Sequence, residues 1–123
     1  MSHPPGFSPV VRGMSSRHLP GLDDLPDDPT NCMIEVTVAI GDAQSEGADN
    51  FNLYFVTPKW LAEQGDQPLV PEYMIVLNTF IWTAVETAVQ RLIKAVPAAD
   101  WDEFTAEFGR YAYWEFSHRR ARF

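Results

Sequence analysis

Apolar and polar residues alternate most regularly in the stretch Cys32–Ile40. A period of two predicts a strand with one buried face. The stretch Phe51–Thr57 alternates in the same way and predicts a second strand, with its large apolar side chains on one side. The polar residues Gly41–Asn50 between the two strands include two glycines, so they predict a hairpin loop.

Two weaker patterns add to the predicted sheet. Glu72–Leu77 predicts a third strand, in which every second residue is large and apolar. The first 30 residues hold six of the ten prolines, which excludes a long helix there. We expect this segment to contribute at most an edge strand, near Phe7–Met14.

Helical signals follow the second and third strands. Thr57 is suited to cap a short helix that begins with Pro58 and ends near Gly65. A longer helix is predicted over Thr79–Val96, with Asn78 as its cap, because apolar residues recur at helical spacing. The apolar stripe consists of Ile81, Val85, Ala88, Val89, Leu92 and Val96.

The last predicted helix is Trp101–Phe116, whose aromatic residues also recur at helical spacing. Asp100, followed three residues later by Glu103, resembles a capping box at its start. Gly109 is predicted to lie inside this helix and to weaken it by about 1 kcal/mol relative to alanine.

Strands followed by helices predict an α+β fold. We expect an antiparallel sheet of three to four strands, with the short helix and the two C-terminal helices packed on one face. Residues 1–22 are predicted to be a flexible or partly ordered N-terminal segment that carries the edge strand. Residues 23–117 are predicted to form a single α+β domain, and residues 118–123 are predicted to form a basic tail.

The charge of the chain is strongly uneven. The net charge is −8, and residues 1–109 hold 16 of the 17 acidic residues but five of the nine basic ones. An acidic body repels nucleic acid and anionic membranes and attracts basic proteins. No apolar run has the length of a membrane span, and no signal peptide is evident, so we expect a cytoplasmic protein. The single cysteine excludes an internal disulfide.

Candidate chemistry is sparse. His3, His18 and His118 lie in predicted termini or loops, where nothing would hold a general base in position. No spacing of metal ligands and no phosphate-binding loop is present, so we predict no metal, no cofactor and no enzymatic activity. The C-terminal aromatics and arginines fit base stacking, but they are more typical of a core helix followed by a solvated tail.

Two other functional classes stay open. A small enzyme would have to assemble its site from distant carboxylates such as Glu35, Glu72 and Glu86. A structural or adaptor subunit would instead expose a large apolar patch. The oligomeric state is not indicated by the sequence.

Several motifs occur together in a characteristic order. An Asp- and Pro-rich segment at Pro26–Pro29 precedes an alternating strand that ends in Ile40-Gly41. The strand Phe51–Thr57 then runs directly into Pro58-Lys59-Trp60-Leu61, and Tyr113-Trp114-Glu115-Phe116 lies on the last predicted helix. With these motifs the chain resembles the immunity protein 8 family over about residues 7–117.

The resemblance implies a role in a bacterial polymorphic-toxin system. Such a protein binds and neutralises a cognate toxin domain by occluding it, and the resemblance assigns no catalytic residues. A basic, nuclease-like toxin would suit the negative charge of this chain. As the partner-binding surface we therefore predict the acidic loop residues, although each of them could also serve only to solvate its loop. These residues are Asp23, Asp24, Asp27, Asp28, Asp42, Glu46 and Asp49.

Overall fold

The computed structural model describes residues 7–65 and 72–116. In these residues five strands form one sheet, and three helices lie between the later strands in an α+β arrangement. The strands are β1 (Pro9–Ser15), β2 (Met33–Asp42), β3 (Asp49–Val56), β4 (Met74–Val76) and β5 (Tyr113–Trp114). The helices are α1 (Pro58–Ala62), α2 (Trp82–Ala95) and α3 (Trp101–Phe108).

The antiparallel hairpin of β2 and β3 forms the centre of the sheet, as the alternating pattern predicts. Its register runs from Met33 opposite Val56 to Ile40 opposite Asp49. Both strands extend further than the pattern indicates, so the turn is reduced to residues 43–48. Gly41 permits this tight turn, because a Cβ atom at this position would collide with the carbonyl oxygen of Gly47.

An edge strand, β1, pairs antiparallel with β2 and lies where the sequence predicts one. The register shifts between Val11 and Gly13, which places Arg12 at an irregularity of the strand. The Arg12 guanidinium donates from Nη2 to the carbonyl oxygens of Asp42 (3.0 Å) and Ser45 (2.8 Å). The edge strand therefore also supports the β2–β3 turn.

The sheet is partly parallel, which corrects the expectation of a purely antiparallel sheet. β4 runs parallel to β3, with Met74 opposite Tyr54 and Val76 opposite Val56. After β3 the chain enters α1, and at Tyr73 it lies beside β3, where the carbonyl of Tyr73 accepts the N–H of Tyr54 at 2.8 Å. A tight turn would have reversed the direction of the chain, whereas a connection that contains a helix permits parallel pairing.

Helix α2 starts later than the periodicity indicates. Asn78 does not cap it; Ile81 is at the N-cap position and provides no side-chain hydrogen bond. Phe80 is buried just before the helix, and its N–H group donates to the carbonyl of Pro29 at 2.7 Å. The helix buries Trp82, Val85, Val89 and Ile93, whereas Ile81 is 43% exposed. Ile81, a member of the predicted apolar stripe, therefore lies outside the buried face of the helix.

Helix α3 ends at Phe108, eight residues before the predicted end. The expected start is confirmed, since Asp100 Oδ1 accepts the N–H of Glu103 at 2.9 Å. Gly109 is the C-cap rather than an interior residue. The chain then turns back, and β5 pairs antiparallel with the first half of β3. Pairing with a strand more than 60 residues away overrides the helical spacing of the C-terminal aromatics.

The core lies between one face of the sheet and helices α2 and α3. An aromatic cluster joins the two layers. Phe104 is fully buried, stacks on Phe108 with ring centroids 5.0 Å apart and lies 6.2 Å from the ring of Phe7. Phe51 on β3 meets Phe108 edge-on at 5.1 Å. These contacts fix α3 across the central hairpin.

Candidate partner-binding site

The seven predicted acidic residues fall into two groups. The first is Asp23, Asp24, Asp27 and Asp28, and the second is Asp42, Glu46 and Asp49. The first group lies in the connection between β1 and β2, before β2 starts, and the second surrounds the turn after β2 ends. Because a strand of ten residues is about 30 Å long, the structure does not bring the two groups together.

The first group lies on a segment whose backbone carbonyls are hydrogen-bonded to core residues. The indole Nε1 of Trp82 donates to the carbonyl of Asp24 at 3.1 Å, and the carbonyl of Pro29 accepts from Phe80. The side chains of the four aspartates are exposed. The carboxylates of this group are therefore presented to solvent on a segment that is held in place.

Within the first group, Asp28 makes the most specific contacts. Its Oδ1 accepts the Thr30 hydroxyl at 2.6 Å and the Thr30 N–H at 3.0 Å. These hydrogen bonds lower the pKa of the Asp28 carboxyl below its usual value of 3.8, since they favour the charged form. The Asp28 carboxylate thus shapes its own turn, besides contributing negative charge to the surface.

Replacing Thr30 by alanine is expected to raise the pKa of Asp28 towards 3.8, because the hydroxyl donor is the largest cause of its depression. In the native protein, Asp28 stabilises the fold above its unfolded pKa, and this contribution is lost as pH falls through the lower folded pKa. The side-chain carboxyl resonance of Asp28, followed by NMR during an acid titration, measures the change. Thr87→Ala, which removes a distant hydroxyl, should leave that resonance unchanged, and an Asp28 pKa in Thr30→Ala as low as that of the parent would contradict the assignment.

The second group forms one end of the molecule, which we call the hairpin end: Asp42, the turn residues 43–48 and Asp49. Asp42 Oδ1 accepts the N–H of Gln44 at 3.0 Å, and Asp49 Oδ2 accepts the indole N–H of Trp114 at 3.1 Å. Glu46 is exposed on the turn. A cleft of about 270 Å³ lies here, bounded by the hairpin end and by Trp101.

Other acidic residues join the hairpin end from the C-terminal half of the chain. Trp101 lines the cleft, so its neighbours Asp100 and Asp102 also lie at this end. Glu115 follows β5, and its carboxylate accepts the N–H of Asn50 at 2.7 Å. Sequence reasoning missed these three acidic residues, because no local signal relates them to the turn. The hairpin end is therefore more acidic than its own sequence indicates.

A comparison with protein-family models identifies the chain. The model of Immunity protein 8 matches residues 11–118, most of the chain. The chain belongs to the Immunity protein 8 family. The comparisons with curated proteins and with solved structures give no match.

The motifs that carry the resemblance have defined positions in this Immunity protein 8 family member. Thr57 caps α1, with its hydroxyl accepting the N–H of Trp60 at 3.4 Å, and Pro58 occupies the first turn. The prediction that Tyr113-Trp114-Glu115-Phe116 lies on the last helix was wrong. These residues form β5 and the turn after it. Trp114 stacks on Phe51 at 6.4 Å, so this motif closes the sheet beside the hairpin end.

The face of the sheet opposite the helices carries an ion pair. Arg17 Nη2 lies 2.9 Å from Glu35 Oε1, and the Glu35 side chain is 12% exposed. On β3, Tyr54 is directly opposite Glu35. Burial raises the pKa of the Tyr54 hydroxyl above its usual value, and the negative charge of Glu35 raises it further. The Glu35 carboxylate therefore has a structural role as the partner of Arg17.

The three carboxylates of the enzymatic alternative do not meet in this Immunity protein 8 family member. Glu35 lies on the open face of the sheet, Glu86 is exposed on α2 on the other side, and Glu72 precedes β4. In residues 7–65 and 72–116 no three His, Cys, Asp or Glu side chains are grouped to hold a metal ion. Burial raises the pKa of the Cys32 thiol, so little thiolate forms at neutral pH.

One of the three histidines, His18, lies within the described residues. His18 Nδ1 accepts the N–H of Glu35 at 3.3 Å and so supports the strand pairing. His3, His118 and the predicted basic tail 118–123 lie outside the described residues.

Proposed function

We propose that the chain is the immunity protein of a bacterial polymorphic-toxin system and neutralises a cognate toxin domain by binding and occluding it. Membership of the Immunity protein 8 family, over residues 11–118, is the observation that carries the proposal. The protein acts in this account by binding and not by catalysis. The separation of Glu35, Glu72 and Glu86 supports the absence of an enzymatic role.

In this proposal the hairpin end is the surface that first meets the toxin. Asp42, Glu46 and Asp49 are joined there by Asp100 and Asp102, and the guanidinium of Arg12, the basic group beside them, is engaged by backbone carbonyls. Such a concentration of negative charge attracts a basic protein and accelerates encounter. A basic, nuclease-like toxin, whose own cleft binds phosphates, is the class of partner that this surface suits.

The four aspartates between β1 and β2 form a secondary acidic surface in the same proposal. They lie in the connection that precedes the start of β2, whereas the hairpin end lies at the other end of that strand, so a small toxin domain engages one of the two acidic surfaces closely. At physiological salt, exposed charges separated by much more than about 8 Å are largely screened from each other. Of the two acidic surfaces, the hairpin end is therefore favoured as the one that steers the toxin, and the aspartates add to the overall negative charge.

We place the protein in the cytoplasm of the toxin-producing cell, where an immunity protein meets toxin that is made by, or enters, that cell. Among the helices of the described residues, none is sufficiently long and apolar for a bilayer crossing. This finding is compatible with the proposed compartment.

A second candidate, a structural or adaptor subunit, is favoured by one observation. Val76 on β4 and Ile81 before α2 are 55% and 43% exposed, and they border an apolar groove. An exposed apolar surface of this kind marks a protein interface. An adaptor would bind its partner through this groove without neutralising any toxin.

Co-expression tests the proposed function. The chain is produced together with the C-terminal domain of the secreted protein encoded beside its gene, and growth is compared with cells that carry an empty second vector. We expect growth to be restored and the two proteins to co-purify. A catalytically inactive variant of the toxin domain controls for expression load. Continued growth arrest, with no complex between the purified proteins, would refute the immunity role.

A further inference from the structure

An apolar groove separates β4 from α2, on the edge of the sheet opposite β1. Its volume is about 700 Å³. Aliphatic side chains from both elements line it: Ile75, Leu77, Ile81, Ala84, Ala88 and Leu92. Val76 and Ile81, which border the groove, are among the most exposed large apolar residues of the described chain. Leaving such side chains in water is unfavourable, so the groove is suited to receive apolar groups.

The backbone of β4 is open along the same groove. The carbonyl of Tyr73 accepts the N–H of Tyr54, and the N–H of Leu77 donates to the carbonyl of Val56, both at 2.8 Å. Because backbone groups alternate in direction along a strand, the N–H and C=O groups of Met74 and Val76 point away from β3. In the part of the chain that the structure describes, no strand pairs with this outer edge.

A positive charge marks one end of the groove. Arg91 on α2 lines it, and the ion pairs of the described residues do not include this side chain. Lys94 lies one turn further along the helix and does not line this groove; it borders a second, smaller cleft, which Arg91 also lines. The rest of the chain is acidic, with a net charge of −8, so a second copy of the chain would be repelled at long range. The groove therefore favours a different protein that brings a carboxylate to Arg91.

We propose that this groove binds an extended segment of the cognate toxin, which adds a strand to the open edge of β4. The backbone of the segment pairs with the outward N–H and C=O groups of Met74 and Val76. Its aliphatic side chains enter the groove, and a carboxylate of the segment meets Arg91. Strand addition of this kind obtains affinity from backbone hydrogen bonds and specificity from the side-chain groove. The proposal rests on the proposed function, because the occupant is the toxin.

Hydrogen exchange tests the pairing directly. The probe is the purified, catalytically inactive toxin domain encoded beside the gene, added to the full chain. We expect the amides of Met74 and Val76 to exchange rapidly in the free protein and at least about tenfold more slowly in the complex, since they gain acceptors. The amide of Leu77 already donates to Val56 and serves as the internal reference.

Two charge reversals on the same helix test the carboxylate contact. Arg91→Glu is expected to weaken toxin binding at least about tenfold, as measured by calorimetry, because a favourable charge pair becomes a repulsive one. Lys94→Glu changes the net charge equally but lies outside the groove, so it should bind almost as the parent does. Circular dichroism of both variants confirms that the helix is retained.

The outcomes separate this inference from the function on which it rests. If the toxin binds but the exchange of Met74 and Val76 is unchanged, or Arg91→Glu and Lys94→Glu bind equally, the strand-addition proposal is overturned and the immunity role stands. If no complex forms at all, both proposals fail. If sedimentation instead shows dimers of the chain that Val76→Lys abolishes, a second copy occupies the edge, which also overturns the proposal.

Discussion

Phe104→Ala is expected to lower the free energy of unfolding by about 3–5 kcal/mol, the range for truncating a fully buried phenylalanine. Its side chain is inaccessible to solvent and lies against four other rings, those of Phe108, Trp101, Phe7 and Phe51, with centroids 5.0–6.3 Å away. The substitution leaves a cavity between α3 and the central hairpin, where the surrounding rings cannot close it. A domain of this size is stabilised by only about 5–15 kcal/mol, so the loss is a large fraction of the total.

Urea-induced unfolding monitored by tryptophan fluorescence measures this loss. Phe116→Ala is the matched control, because it is the same substitution at a residue that is 55% exposed and meets Trp114 edge-on. We expect the control to cost no more than about 1 kcal/mol. Equal effects at the two positions would show that the aromatic cluster of α3 does not hold the two layers together.

Removing three charges from the hairpin end is expected to slow association with the toxin by about tenfold at low ionic strength. The variant combines Asp42→Asn, Glu46→Gln and Asp49→Asn. Amide oxygens preserve the acceptors for the N–H groups of Gln44 and Trp114, so the turn keeps its structure. The reason for the effect is electrostatic steering, which also predicts that added salt slows the parent protein more than the variant.

Stopped-flow fluorescence with the inactive toxin domain measures this association rate. The control removes the same number of charges from the other group, through Asp23→Asn, Asp24→Asn and Asp27→Asn. We expect the control to slow association less, because those carboxylates lie at the opposite end of β2. Equal rates for the parent and the hairpin-end variant would exclude the hairpin end as a steering surface.

The central hairpin was predictable from sequence because its signal is local. Every second residue of Cys32–Ile40 and Phe51–Phe55 is buried, and a two-residue period has no helical interpretation of that length. The caps Thr57 and Asp100 were predictable for the same reason, since each acts on a backbone N–H three residues away.

The end of α3 and the start of α2 depend on contacts between distant residues. Trp114 lies opposite Phe51, and the N–H of Phe80 donates to the carbonyl of Pro29. Neither contact produces a recognisable local sequence pattern. The parallel direction of β4 likewise depends on its pairing with β3, about 20 residues earlier in the chain. Tyr111 and Ala112 do continue the helical spacing of apolar residues, but the helix ends before them, at Phe108.

The candidate site was predictable as a set of residue types and not as a surface. The seven acidic side chains were identified from their loops, but the length of β2 separates them into two groups. The three further acidic residues at the hairpin end, Asp100, Asp102 and Glu115, lie next to α3 and β5 in the sequence. Their proximity to the turn is evident only in the folded chain. The groove beside β4 requires a parallel strand, which the sequence did not indicate.

The pairing of β3 with β5, near the C-terminal end of the described residues, has a consequence for the nascent chain during synthesis. Phe51 and Asn52 gain their outer neighbours only when Tyr113 and Trp114 have been made, about 60 residues later. At about 5–20 residues per second, ribosomes need about 3–12 s to cover that distance. Throughout this interval the edge of β3 at Phe51 and Asn52 is unpaired in the nascent chain, and an unpaired strand edge is able to pair with other nascent chains. The pairing of β5 with β3 therefore protects the newly synthesised protein from self-association.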